Sequence, residues 1–101
     1  MLIHVSPSRF AGKPMTLRAL ADADYAVEID GLTAGRMLRT ERAARRIAWL
    51  WTITGPYCGY ASVATSGDVE DLQSARTALR STFDGWLAWA MMQPGPVAWH
   101  S

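Results

Sequence analysis

The chain has 101 residues, half of them hydrophobic, with ten basic and nine acidic side chains and a formal charge of +1. That length suits a single domain, the apolar share excludes a disordered chain, and the near-zero charge excludes a general field drawing the protein to nucleic acid or to an anionic membrane. One cysteine, Cys58, excludes an internal disulfide and fits a reducing cytoplasm, the expected location.

Residues 1–14 carry two prolines, a glycine and no sustained periodicity, and read as an irregular lead-in with a short extended stretch at "LIHV". No basic segment precedes a long apolar one there, so no signal peptide is expected. The domain proper is expected over residues 15–92. "MTLRAL" (15–20) reads as a short edge strand and "ADAD" as a turn. "YAVEID" (25–30) alternates, with Tyr25, Val27 and Ile29 on one side and Ala26, Glu28 and Asp30 on the other. Asp30-Gly31 signals a hairpin, and "TAGRMLRT" is its second strand. A two-residue turn would put Arg36 on the core face. A three-residue turn with a glycine bulge would put Met37 there and leave Arg36 and Leu38 outside. The second is preferred because Met is cheaper to bury than Arg.

"ERAARR" (41–46) connects to a third strand, "RIAWLWTIT". Ile47, Trp49, Trp51 and Ile53 form its bulky face; Ala48, Leu50, Thr52 and Thr54 form the other. "GPYCG" is a turn, and "YASVAT" (60–65) reads as a fourth strand with Ala61 and Val63 inward. A long helix follows from Ser66 to Met92, capped by Thr65 or Ser66, with Asp68, Glu70 and Asp71 at the positive end of its dipole. Leu72, Ala75, Leu79, Phe83, Trp86 and Ala90 form one apolar stripe. The run "GWLAWAMM" within it is far shorter than the roughly 20 residues a membrane span needs, so no membrane partner is expected. Residues 93–101, opening with Pro94 and Gly95, read as a frayed tail.

This order predicts an α+β fold: an antiparallel meander of three or four strands with one long C-terminal α-helix packed on one face. Trp49, Trp51 and Trp86 then fill the layer between helix and sheet. The competing reading, a stacking platform for a sugar or a nucleobase, needs polar groups beside the rings, and that face offers none.

Chemistry is sparse. Arg36, Arg39, Arg42, Arg45 and Arg46 form the one local concentration of charge, relieved by Glu41. They read either as a basic hairpin reaching phosphates or as a solvated strand edge kept from aggregating by its arginines. Cys58 lacks a nearby base, since His4 and His100 lie near the two ends of the chain. No spacing of His, Cys, Asp or Glu suggests a metal site. "SGD" is no phosphate loop. No catalytic residue and no cofactor are therefore assigned. The outer sheet face is expected to carry Leu38, Leu50 and Tyr60 among Ala26, Ala48 and Thr52, a mixed surface suited to a protein partner or a homodimer.

The stretch from Tyr25 to Trp89 resembles a group of short uncharacterised alphaproteobacterial proteins. The resemblance rests on Tyr25 and Val27, Asp30-Gly31, Gly35-Arg36-Met37, "WLW", Gly59 and Ala61, and a helix ending in an aromatic "GW". It implies structure and carries no catalytic residues. "YAVEIDGLTAG" and "SGDVEDLQSARTAL" also resemble segments of the HicB-type antitoxins. In that family the two segments lie closer together, and its Pro-Asp-Leu-Pro-Gly turn is absent here. The function expected is a non-enzymatic interaction module of a bacterial cytoplasm. The alternatives are a nucleic-acid contact through the arginine hairpin or an antitoxin-like regulator.

Overall fold

The computed structural model describes residues 1–101. In chain order the elements are β1 (Leu2–Val5), a 3₁₀ turn (Pro7–Phe10), β2 (Thr16–Ala21), β3 (Asp24–Ile29), β4 (Leu32–Arg42), a second 3₁₀ turn (Ala43–Arg45), β5 (Arg46–Ile53), β6 (Ser66–Val69), α1 (Leu72–Met91) and β7 (Val97–His100). The strands from β2 to β6 form one antiparallel meander in sequence order, and β1 pairs with β7 in a separate two-stranded sheet. The α+β class and the long helix on one sheet face are as expected. The main sheet has five strands, one more than the upper expectation.

The strand beyond the four numbered ones is β2, the edge strand read at 15–20, and the opposite edge is formed not by residues 60–65 but by a segment read as helix. Ser66–Val69 pairs along β5 from Thr52 to Trp49, and "YASVAT" runs irregularly before it. Gly67 explains the choice. It faces Trp51, and a Cβ there would lie 2.8 Å from the indole Nε1, so the strand lets the ring lie flat against backbone. The helix therefore starts later, with Asp71 as N-cap; its carboxylate accepts a bond from the Ser74 N–H at 2.7 Å. Ala61 is buried and Val63 half-buried, inward as expected but from a loop.

The hairpin between β3 and β4 corrects the register argument. Ile29 faces Leu32 across a two-residue turn, with Asp30 at φ 49° and Gly31 at φ 78°, the left-handed pair such a turn requires. The bulge lies further along: Glu28 pairs with Thr33 and Val27 with Gly35, leaving Ala34 as the extra residue. This shift returns Met37 to the core and keeps Arg36 outside. The burial expected for both residues holds, by a different device.

Residues 1–14 and 93–101 also depart from expectation, because each supplies what the other lacks. Leu2–Val5 pairs residue by residue with Val97–His100, and Pro56 bridges to Trp99 on the other side of β7. Phe10 stacks on Trp99 at 4.9 Å and meets Phe83 edge-on at 5.7 Å. The Trp86 indole N–H donates to the Tyr57 carbonyl at 3.3 Å. The core thus has two parts. Val27, Met37, Trp51, Ala75 and Leu79 fill the space under the first half of α1. Phe10, Ile29, Ala34, Phe83, Trp86 and Trp99 fill the space under the second.

Candidate interaction surfaces

Strand pairing fixes which side chains share the outer face, the one opposite α1. Asp24, Leu38, Leu50 and Asp68 stand in one row across the sheet; Arg18, Ala26, Arg36, Thr52 and Ser66 stand in the next. Leu38 and Leu50 face each other, both half-buried, near the middle of the sheet. Ion pairs surround them. Arg36 grips Asp24 through Nε at 2.9 Å and Nη2 at 2.5 Å, Arg18 reaches Glu28 at 3.0 Å, and Arg42 pairs with Asp68. No further layer of helix or strand packs against this face.

Tyr60, expected among these residues, lies elsewhere. It is 79% exposed and stands beside Tyr57, which in turn lies against His100. Both tyrosines line a shallow cleft with Leu2, His4 and Trp89 near the small sheet. Tyr60 leaves the outer face because its segment is a loop carried toward β7 by the bonds from the Tyr57 N–H to Ala98 and from the His100 N–H to Gly55.

The arginine run divides between the two faces. Strand alternation puts Arg36, Arg42 and Arg46 on the outer face and Arg39 on the inner one, while Arg45 sits in the turn at φ 57°. Arg36 and Arg42 are paired as described, and Arg39 lies 3.9 Å from Asp22. Arg45 and Arg46 have no carboxylate partner. The run is thus scattered over two faces and a turn, with Arg36 and Arg42 closely paired, Arg39 at the limit of pairing and Arg45 and Arg46 free.

Burial pushes the Cys58 thiol up from its ordinary value, which lowers the thiolate share at neutral pH. Its Sγ contacts the Pro56 carbonyl at 3.5 Å. No three His, Cys, Asp or Glu side chains gather where they would hold a metal ion, and no helix is long and apolar enough to cross a membrane.

A surface absent from the sequence reading is a groove of about 780 Å³ between β2 and α1. Met15, Leu17, Val27, Met37 and Leu79 form its floor; Lys13, Arg76, Arg80 and Asp84 stand on its rim. Its signals in the sequence are faint: Met15 and Leu17 alternate like an inward strand face, and Arg76 and Arg80 recur at i, i+4 beside the helix stripe. Compared with protein-family models, curated proteins and solved structures, the chain matches none.

Proposed function

We propose that the protein is a non-enzymatic interaction module that pairs with a second copy of itself through the outer face of the five-stranded sheet. The observation that carries this reading is the Leu38–Leu50 cross-strand pair, set near the centre of an uncovered face and ringed by ion pairs. β4 is the middle strand of the five. A twofold axis near Leu38 therefore brings the leucines of two copies together and lets the surrounding arginines and carboxylates meet their opposites across the axis. An apolar centre with a charged, self-complementary rim is the anatomy of such an interface.

Light scattering on a sizing column tests the pairing. The wild-type chain is expected at dimer mass, and Leu50→Glu at monomer mass with an unchanged far-UV spectrum. A wild-type chain that stays monomeric as its concentration rises overturns the reading.

A further inference from the structure

The inner face of the main sheet is wider than the helix that covers it. Five strands spaced about 4.8 Å apart span roughly 19 Å, whereas one helix with its side chains covers about 10 Å. α1 lies nearest β5, then β6 and β4, so the strip over β2 lies beside the helix and not beneath it. This strip is the floor of the groove, where Met15 and Leu17 are half-exposed.

The charge on its rim is lopsided. Lys13, Arg76 and Arg80 stand against Asp84 alone, three cations to one carboxylate, a net +2. Arg80 is engaged with Asp84 at 3.1 Å and with the Lys13 carbonyl at 3.1 Å. Lys13 approaches Asp30 only to 4.0 Å, and Arg76 has no carboxylate partner.

We propose that the groove holds an amphipathic helix of a partner protein, apolar toward Met15 and Leu17 and acidic along the flank beside Arg76 and Lys13. The dimensions fit. The groove follows α1 from Gln73 to Asp84, about 17 Å, room for a helix of about 12–13 residues. A second helix packed about 8–10 Å from α1 takes up the width left open. The groove recruits carboxylates because Arg76 has no carboxylate partner and the rim carries a net +2.

Other occupants fit less well. Small-ligand pockets bury ~70–90% of their ligand, and this groove is open along its outer side. A strand added to the edge of β2 meets the register break between Ala19 and Ala21, a device that discourages edge pairing. A second copy would bring its own α1, whose exposed Arg76 would meet the same arginine in the groove.

The test is an amide NMR titration of the full chain with a synthetic helix of about 13 residues. The peptide carries Leu at i, i+3, i+4 and i+7 and Glu on both flanks; a control carries Lys in place of Glu. The Glu peptide is expected to shift the amides of Lys13, Leu17, Arg76 and Arg80 and to bind roughly tenfold more tightly than the Lys peptide. Arg76→Glu, an exposed change with little effect on folding, takes the rim from a net +2 to zero and is expected to abolish that preference. Equal affinity of the wild-type chain for the two peptides, or none for either, overturns the proposal. So does new exchange protection confined to β2, the sign of strand addition, or a wild-type dimer that Leu17→Glu dissociates. The outer face lies on the other side of the sheet, so Leu50→Glu leaves peptide binding intact and the two proposals fail separately.

Discussion

Asp24 is the one charged residue with little exposed surface, and it lies on the outer sheet face against the Arg36 guanidinium. Hydrogen bonds from the guanidinium hold its carboxyl below the ordinary aspartate value of 3.8; burial pulls the other way and the arginine's charge adds to the lowering. Because the folded value is the lower one, the unfolded chain takes up a proton first on acidification. The stabilisation is whole above the unfolded value and is lost as the pH falls through the folded value. Asp24→Asn is therefore expected to lower stability at neutral pH while flattening the decline at acid pH. Urea midpoints of both chains at neutral pH and at about pH 3 measure this, and equal losses would show that Asp24 has no share in the acid response. Trp49 and Trp51 show how position overrides residue type. They occupy the same face of β5, yet Trp51 is 6% exposed and in the core, whereas Trp49 is half-buried and stacks on Tyr25 at 6.3 Å. Ile47, further along, is 57% exposed. The gradient follows from where α1 begins, at Leu72, since the hairpin of β4 and β5 reaches past the first turn of the helix.

The contact between α1 and β4 depends on a missing side chain. A Cβ on Gly35 would lie 2.6 Å from the Thr52 carbonyl oxygen and 2.8 Å from Leu79 Cδ1. The first of these neighbours is backbone of β5 and cannot swing away. Gly35→Ala is expected to cost about 1–3 kcal/mol by overpacking, read as a lower urea midpoint with an unchanged slope; an unchanged midpoint would mean that sheet and helix separate freely. Elements of this kind were legible in the sequence to different degrees. The helix stripe from Leu72 to Ala90 was plain, because six apolar positions repeat with the helical period and the interior is built from them. β6 was hidden, because "SGDV" is short and polar and becomes a strand only through Trp51 opposite Gly67. The arginine run was visible as composition, but strand alternation divides it between two faces, a fact that needs the register. Leu38 and Leu50 could be placed on one face from their parity, whereas Tyr60 could not, because its segment is no strand. The groove was illegible for a related reason: it exists because α1 lies toward β5, and no periodicity within a single element reports a lateral offset.

At the scale of the whole molecule, the fold is closed by its most distant residues. Ile3 pairs with Trp99 and Val5 with Val97, and Trp99, 1% exposed, contacts Phe10, Phe83 and Trp86 at ring separations of 4.9 to 6.3 Å. The helix stripe alone does not bury Trp86; it needs rings from both ends of the chain. Loss of a buried tryptophan costs about 3–5 kcal/mol, against a total stability of about 5–15 kcal/mol for a domain. Deleting residues 97–101 removes Val97 as well and leaves β1 without a partner, since that strand pairs with β7 alone. The truncated chain is expected to lose its near-UV tryptophan signal and its cooperative thermal transition, whereas Trp99→Phe, which keeps a ring against Phe10, is expected to retain a transition at lower temperature. A truncated chain that melts as sharply and at the same temperature as the full one would show that the meander and α1 fold without the second sheet. The two-stranded sheet would then be an appendage, and the aromatic cluster would not be the part of the core on which cooperativity depends.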